Sequence, residues 1–344
     1  AAENSYVITN PGPGGGSDLW TLVFHPTDAD TFYVGGDIEG PFKTIDGGLT
    51  YNRVSNGLQS ESYPAGANAS QDFGIDPQAP DTVFLATWAG IYKTTNGASS
   101  WSLVYPAEPL LGEDSESFSS VAVSPHDSNI VLAGNGNPFA NEGGLSRIVR
   151  STDGGNSWSV IDLTSGGLLD GSDLTVHRIV FDPLTAGVVY AATGEGVIRS
   201  TDSGSSWTLM NTGLPAASDD SRPIVHGLVG TVSNNVFLLF STLRTQDTSS
   251  WNAGGVFRSQ DGAANWEDIS GNLPTFGSES SMSYSYWRVA VDPEDPNNVI
   301  VGTRREWAWD EMGLYKTTAA LAADTGTITW TWLWDTENFS TSIT

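Results

Sequence analysis

One stretch of this chain combines aromatic side chains with carboxylates, the mixture that proteins use to bind or cleave sugars. It reads Arg304-Arg305-Glu306-Trp307-Ala308-Trp309-Asp310-Glu311. Indole rings pack on the apolar faces of sugars, and carboxylates accept hydrogen bonds from hydroxyl groups. Two carboxyl groups about 5 to 9.5 Å apart can also hydrolyse a glycosidic bond. The stretch makes Glu306 and Asp310 candidate catalytic carboxylates, and the same residue types also suit a protein interface.

Aromatic residues in other predicted loops extend this candidate surface. Tryptophan and tyrosine offer a large apolar area together with one polar group, so they suit either a glycan or a protein partner. The predicted ligand-binding residues are Trp88, Trp251, Trp307, Trp309, Tyr286 and Trp287.

A further carboxylate, Asp37, lies at the end of a predicted strand. When the predicted units of the chain are overlaid, Asp37 stands where other units have Thr87 or Thr193. The repeat therefore does not require a carboxylate at this position, which makes Asp37 a candidate for catalysis.

A repeat sets the elements that must position these residues. The stretch Ser151-Thr152-Asp153-Gly154-Gly155-Asn156-Ser157-Trp158 returns in five near-complete copies about every 50 to 60 residues, a spacing typical of propellers. Each copy predicts a hairpin turn, because an Asp or Asn side chain accepts nearby N–H groups and glycine adopts positive φ. A sixth, degenerate copy begins at Thr317. The acidic or amide positions are Asp46, Asn96, Asp153, Asp202 and Asp261.

This pattern resembles the Asp-box, or BNR, repeat of sialidases, sortilin-type receptor domains, photosystem assembly factors and xyloglucan-hydrolysing glycosidases. The resemblance covers about residues 19–334. It implies a propeller whose five Asp and Asn residues form turns and take no part in catalysis. Enzymes and binding proteins share the repeat, so it indicates fold more than function.

The strand pattern predicts an all-β fold. Six units each contain four predicted strands, and most first strands end in an apolar-x-Pro signature such as Phe181-Asp182-Pro183. The prediction is a single domain, 1–344, with an N-terminal extension at 1–18 and a six-bladed β-propeller of four-stranded antiparallel blades at 19–334. Six blades are favoured over seven. Insertions gather on the face opposite the Asp turns, where binding is expected.

The segment Gly35-Gly36-Asp37-Ile38-Glu39-Gly40-Pro41-Phe42-Lys43 resembles the Asp-Ile-Gly-Gly-x-aromatic-cation segment of xyloglucanase-like glycosidases. In that family the Asp is a catalytic carboxylate, and a second one lies on a facing propeller. Here Glu39 and Pro41 replace small residues. The resemblance implies an endo-acting β-glucan hydrolase that uses Asp37. The second carboxylate stays open among Glu142, Asp247, Glu306, Asp310 and Glu311.

Charge and composition exclude several function classes. Forty Asp and Glu against 14 Lys and Arg give a net charge of −26, which argues against nucleic acid and anionic membranes as partners. There is no cysteine, the four histidines are scattered, and no apolar run is long enough for membrane insertion, so we predict no metal site and no cofactor. The start Ala1-Ala2-Glu3 resembles a processed N-terminus and predicts an extracellular or periplasmic location.

Two functions remain open. The favoured one is an exported binding scaffold that docks a protein or glycan partner through its long-loop rim. The alternative is a glycoside hydrolase, xyloglucanase-like and endo-acting on β-glucan, with Asp37 as a catalytic carboxylate.

Overall fold

The computed structural model describes residues 19–36, 39–58, 69–106, 117–136, 147–170, 175–215, 222–244, 254–273, 284–305 and 313–335. The fold is all-β, with six blades of four antiparallel strands in a propeller ring, as the sequence predicts. The only helices among these residues are 3-10 turns at Ser165–Gly167 and Thr325–Thr327. The chain divides into two compact units, residues 1–123 and 124–344.

The first unit holds blades 1 and 2 and the first strand of blade 3. Blade 1 comprises β1 (Leu19–His25), β2 (Asp28–Gly36), β3 (Phe42–Thr44) and β4 (Asn52–Arg53). Blade 2 comprises β5 (Ser70–Ile75), β6 (Val83–Thr87), β7 (Gly90–Thr94) and β8 (Ser102–Tyr105). Blade 3 begins with β9 (Phe118–Val123).

The second unit holds the remaining strands. Blade 3 continues with β10 (Val131–Asn135), β11 (Arg147–Ser151) and β12 (Ser159–Asp162). Blade 4 comprises β13 (Val176–Phe181), β14 (Val189–Thr193), β15 (Gly196–Ser200) and β16 (Thr208–Leu209). Blade 5 comprises β17 (Ile224–Ser233), β18 (Val236–Arg244), β19 (Val256–Ser259) and β20 (Glu267–Asp268). Blade 6 comprises β21 (Tyr284–Val291), β22 (Val299–Arg305), β23 (Gly313–Thr317) and β24 (Thr331–Asp335).

The second strand of blades 2 to 4 is buried from end to end, because both faces of its sheet are covered. The connection from the first to the second strand is a short turn. In blade 4 the Asp182 carboxylate closes it by accepting from the Leu184 N–H at 2.7 Å. Blade 5 lacks the proline and turns through Asn234 and Asn235, whose φ angles of 50° and 61° fit a tight hairpin.

The repeated Asp turns are held by their own side chains. The Asp153 carboxylate accepts from the Ser157 N–H at 2.8 Å and from the Ser157 and Ser151 hydroxyls at 2.6 and 2.8 Å. The Ser151 hydroxyl in turn accepts from the Gly155 N–H at 2.8 Å, and Gly155 has a φ of 87°. Equivalent bonds join Asp46 to Thr50, Asn96 to Ser100, Asp202 to Ser206 and Asp261 to Asn265.

Two polar contacts recur between successive blades. The cation that ends a third strand donates to a turn carbonyl of the next blade, as Arg150 Nε does to Ser203 O at 2.7 Å. The tryptophan after a turn donates back to the preceding blade, as Trp266 Nε1 does to Met210 O at 2.9 Å. Further examples are Lys43 to Gly97, Arg258 to Ala320, Trp101 to Val54 and Trp330 to Ile269.

Candidate functional site

The first strand of a blade carries a β-bulge near its start in every blade whose register is defined at that point. The shift falls between Val176 and Arg178 in blade 4, and at the equivalent step in blades 1, 2, 5 and 6. A bulge leaves one residue out of the ladder and redirects its side chain, and bulges are frequent beside active sites. The bulged residues, here called the bulge row, are Trp20, Gln71, His177, His226 and Trp287.

The bulge row lies at the end of each blade that is opposite its Asp turn. In blade 4, Val176 at the start of β13 pairs with Thr193 at the end of β14. The turn around Asp202 follows β15, whose last residue, Ser200, pairs with Val189 at the other end of β14. The bulge row therefore lies at the end of the blades from which the long second-to-third connections leave.

In the second unit the bulge row forms a continuous stack of rings across three blades. The ring centroids of His177 and His226 lie 4.3 Å apart, and those of His226 and Trp287 lie 4.0 Å apart at an interplanar angle of 28°. Both imidazoles are buried and the indole is half-buried. Only the Trp287 indole of this stack is partly exposed, so the two imidazoles support it from within.

In the first unit the bulge row pairs with a predicted ligand-binding residue. The indoles of Trp20 and Trp88 lie 5.5 Å apart, and both are half-buried. Trp88 Nε1 and Gln71 Nε2 are buried donors with no hydrogen-bond acceptor among the residues that the structure describes. Unpaired buried donors are uncommon in folded proteins and call for an explanation, such as a bound partner.

Asp72, which follows Gln71 in the chain, has a structural role. Its carboxylate is buried and accepts from the Val121 N–H at 3.2 Å and from the Thr21 hydroxyl at 3.5 Å. These bonds tie β5 to β9 and β1 within the first unit. Asp72 is thus engaged on both of its oxygens.

The structure adds an ionic cluster that the sequence did not indicate. Glu195, in the β14–β15 turn, accepts from the Asp170 N–H at 2.9 Å and pairs with Arg222 Nη1 at 2.8 Å. Arg222 also pairs with the Asp170 carboxylate at 3.4 Å and donates to Leu168 O. Burial raises the pKa of Glu195, while the Asp170 N–H and the Arg222 charge act in the opposite direction. The saturated partners of this carboxylate indicate that it anchors neighbouring loops.

The strand register corrects one sequence-based overlay. Gly36 pairs with the first residue of β1, just as Thr87 and Thr193 pair with the first residues of β5 and β13. Asp37 thus follows the Thr-equivalent position by one residue. Phe42 and Ile198 hold equivalent positions in the third strands of blades 1 and 4. Glu39 and Glu195 each lie three residues before them, so the two glutamates correspond. This correspondence in the sequence could have drawn attention to Glu195.

The predicted site residues divide into three groups. Trp88 and Trp287 lie in or beside the bulge row. Tyr286 is buried in the core of blade 6 with Val299 and Trp330, where burial raises its pKa, so its side chain is removed from the candidate surface. The other candidates lie outside the described residues, namely Asp37, Trp251, Glu306, Trp307, Trp309 and Asp310, together with Glu142, Asp247 and Glu311.

The five Asp and Asn residues of the turns lie away from the bulge row and are occupied by their own turns. Hydrogen bonds from Thr50 and then Thr44 lower the pKa of Asp46 to about 2, and those from Ser157 and then Ser151 lower the pKa of Asp153 to about 2. No group of three or more His, Asp or Glu side chains suited to a metal ion occurs among the described residues.

Solved structures with the same fold include enzymes and a peptide-binding protein. A crystal structure described as an ancestral GH74 enzyme matches with a TM-score of 0.68 and 23% identity, over 94% of this chain and 40% of its own. The GH74 xyloglucanase from Xanthomonas campestris matches with a TM-score of 0.69 and 18% identity, over 94% of this chain and 46% of its own. YCF48 bound to D1 peptide matches with a TM-score of 0.55 and 16% identity, over 92% and 82%.

These likenesses establish the shared propeller fold. This chain spans less than half the length of either GH74 protein. No protein-family model and no curated protein matches the sequence. None of the helices in the described part of the chain has the length and apolar character needed to cross a bilayer.

Proposed function

We propose that this chain is an extracellular or periplasmic propeller that binds neutral β-linked glycans at the half-buried indoles of the bulge row, Trp20 in the first unit and Trp287 in the second. On this proposal the five Asp and Asn turns are Asp-box repeats that hold the blades, and the two indoles are the faces on which sugar rings stack.

The recurrence of the bulge carries the proposal. Five blades redirect a side chain at the same ladder position, and the side chains are two indoles, two imidazoles and a carboxamide. The indoles and the carboxamide carry no charge. Aromatic faces stack on sugar rings, and N–H groups donate to hydroxyl oxygens. Of the bulged residues, Trp20 and Trp287 have partly exposed rings that a ligand can reach.

The first unit contains unpaired hydrogen-bond donors as well as an aromatic face. Trp88 Nε1 and Gln71 Nε2 are donors that lack an acceptor among the described residues, and the Trp88 indole lies 5.5 Å from that of Trp20. A sugar hydroxyl or ring oxygen accepts such hydrogen bonds. The net charge of −26 disfavours anionic polysaccharides, because like charges repel at the approach. A neutral glycan fits both features.

The fold neighbours support a glucan as the first ligand to test. Two of them are GH74 proteins, and one is described as a xyloglucanase. YCF48 bound to D1 peptide has the same fold, so a protein ligand is the competing outcome of the same experiment.

Isothermal titration calorimetry with xyloglucan and β-glucan oligosaccharides tests the proposal. Trp20→Ala and Trp88→Ala should each weaken binding by about tenfold, the loss expected for an aromatic anchor. Trp332→Ala is the matched control, because Trp332 is an exposed indole on the outer strand of blade 6. The proposal fails if no neutral glycan binds, or if Trp332→Ala weakens binding as much as Trp20→Ala and Trp88→Ala do.

Glycoside hydrolysis by Asp37 is a second candidate. Asp37 directly follows Gly36, which pairs with the start of β1 beside Trp20. Within the described residues Asp72 and Glu195 are both engaged by structural partners, so the second carboxyl group is to be sought among Glu306, Asp310 and the other open positions. Release of reducing ends from xyloglucan that is lost in Asp37→Asn, with glycan binding retained, would support hydrolysis. Binding without release would leave the binding function alone.

A further inference from the structure

The turn that carries Trp88 forms without an indole in a sister blade. In blade 2 the Thr87 hydroxyl closes this turn, accepting from the N–H two residues on at 3.1 Å and donating to the carbonyl three residues on at 2.9 Å. The Thr193 hydroxyl closes the matching turn of blade 4 with the same two bonds, at 3.1 and 2.9 Å. There Gly194 stands in the place of Trp88. Closing the turn therefore does not account for the Trp88 indole.

Two buried N–H donors lie at this end of blade 2. Ser70 pairs with Thr87 at the end of the β5–β6 ladder. Gln71 and Trp88 each lie one residue from that pair. Gln71 is only 4% exposed, and neither its Nε2 nor Trp88 Nε1 has an acceptor among the described residues. Since the half-buried Trp20 indole lies 5.5 Å from that of Trp88, this site of the first unit joins unpaired donors to an aromatic face.

The side-chain acceptors beside these donors are already in use. The Asp72 carboxylate accepts from the Val121 N–H on one oxygen and from the Thr21 hydroxyl on the other. The Thr87 hydroxyl is committed to its turn. A ligand group that accepts from Gln71 therefore finds neither of these side chains free to accept a proton of its own.

This supply of donors favours a ligand group that accepts hydrogen bonds and donates none. The indole nitrogen and the carboxamide nitrogen are both donors only. A sugar hydroxyl can accept from them, but its own O–H then needs an acceptor, and a buried polar group left unpaired costs free energy. A carbonyl oxygen has two lone pairs and no proton, so it can accept from both donors at once. On a neutral sugar, an acetyl substituent supplies such a carbonyl together with an apolar methyl group.

We propose that the site at Trp20 recognises an acetyl group on a neutral sugar, whose carbonyl accepts from Trp88 Nε1 and Gln71 Nε2 while its methyl packs on an indole face. This inference rests on the proposed glycan binding and narrows the ligand of the first unit to acetylated sugars. Acetamido sugars and O-acetylated sugars both carry the group. Both are neutral, which suits a chain with a net charge of −26.

Calorimetric titration with two matched pairs of neutral ligands tests the proposal. Diacetylchitobiose and cellobiose have the same linkage and differ in their acetamido groups. O-acetylated xyloglucan oligosaccharides and the same oligosaccharides after mild alkali differ in their esters. In at least one pair the acetylated ligand should bind about tenfold more tightly, because only its carbonyl satisfies the buried donors. The pair that shows the preference identifies the amide or the ester as the recognised group.

Two variants remove the donors while keeping similar side-chain volumes. Trp88→Phe keeps a ring without the N–H, and Gln71→Met keeps the length without the carboxamide. Each should bring the two affinities of a pair to within about threefold of one another. Trp207→Phe is the matched control, because Trp207 Nε1 already donates to the Gly204 carbonyl at 3.1 Å in the Asp turn of blade 4. This control should keep the full preference.

Circular dichroism checks that each variant folds. Trp88→Phe keeps the test decisive if Gln71→Met does not fold, since blade 4 forms the same turn around Gly194. Equal affinities within both pairs overturn the inference and leave glycan binding itself intact. A preference that survives in Trp88→Phe and in every folded donor variant also overturns it, as does one that Trp207→Phe abolishes equally. If none of the four ligands binds, the proposed function fails and this inference fails with it.

Discussion

The imidazole of His226 stacks on the indole of Trp287, with ring centroids 4.0 Å apart and planes 28° from parallel. Both residues are bulged out of their strand ladders, on neighbouring blades of the second unit. His177 continues the stack on the other side of His226. Three blades thus contribute one ring each to a single stack, in which only the Trp287 indole is partly exposed.

Trp287→Ala should weaken glycan binding by about 2 kcal/mol, roughly thirtyfold in Kd, if the indole is an anchor of the proposed surface. Trp287→Phe keeps a ring on His226 and should retain most of the affinity. Because Trp287 is only half-buried, the melting temperature should change little in the Phe variant. Calorimetric titration of both variants checks this, and equal losses in the Ala and Phe variants would contradict a stacking role.

The Asp turns predict a specific acid sensitivity. Hydrogen bonds from Ser157 and Ser151 lower the pKa of Asp153 from 3.8 to about 2 in the folded chain. The unfolded carboxyl therefore takes up its proton at a higher pH than the folded one does. The stability that Asp153 supplies is fully present above pH 3.8 and is lost as the pH falls toward 2. We expect the same pH dependence for Asp46, whose pKa is also lowered to about 2.

Asp153→Asn isolates this contribution, because Asn96 already fills the same position in blade 2 with an amide oxygen that accepts from the Ser100 N–H. The variant should melt about 2 °C below the wild type at neutral pH. The difference should shrink between pH 4 and 2, as the wild-type carboxyl becomes neutral too. Thermal unfolding of both proteins between pH 4 and 2 tests this prediction. A difference in melting temperature that stays constant at every pH would refute the assignment.

The blade count could be predicted because its signals are local. Each first strand ends in a turn such as that of Asp182, and each third strand ends in a cation and a hydroxyl, as in Arg150 and Ser151. These short patterns mark strand ends regardless of what lies elsewhere in the chain. Four strands per unit and six units followed directly from them, and the fold confirms that prediction.

The bulge row could not be predicted, because a bulge depends on the partner strand. One unpaired residue leaves no mark in the composition of its strand, and Trp20 and His177 look like ordinary strand residues. The same cause shifted the overlay of Asp37 by one position. Glu195 and Arg222 are 27 residues apart with strands β15 and β16 between them, and only folding brings them to 2.8 Å.

Arg258 offers the sharpest test of how the blades are joined. Its guanidinium is buried, with Nη1 donating to Ala320 O at 2.6 Å and Nε to the Glu267 carboxylate at 2.8 Å. Arg258→Met fills a similar volume but leaves the buried Ala320 carbonyl without its donor. An unpaired buried acceptor costs about 1–3 kcal/mol, so the free energy of unfolding should fall by that amount.

Lys316→Met is the control for this change, since Lys316 holds the same place in blade 6 and no carbonyl accepts from it in the part of the chain that the structure describes. This variant should therefore unfold like the wild type. Urea unfolding of the two variants gives the comparison. If Lys316→Met lost as much stability as Arg258→Met, the bond to the next blade would not be the source of the effect, and general packing of the long side chain would explain both losses.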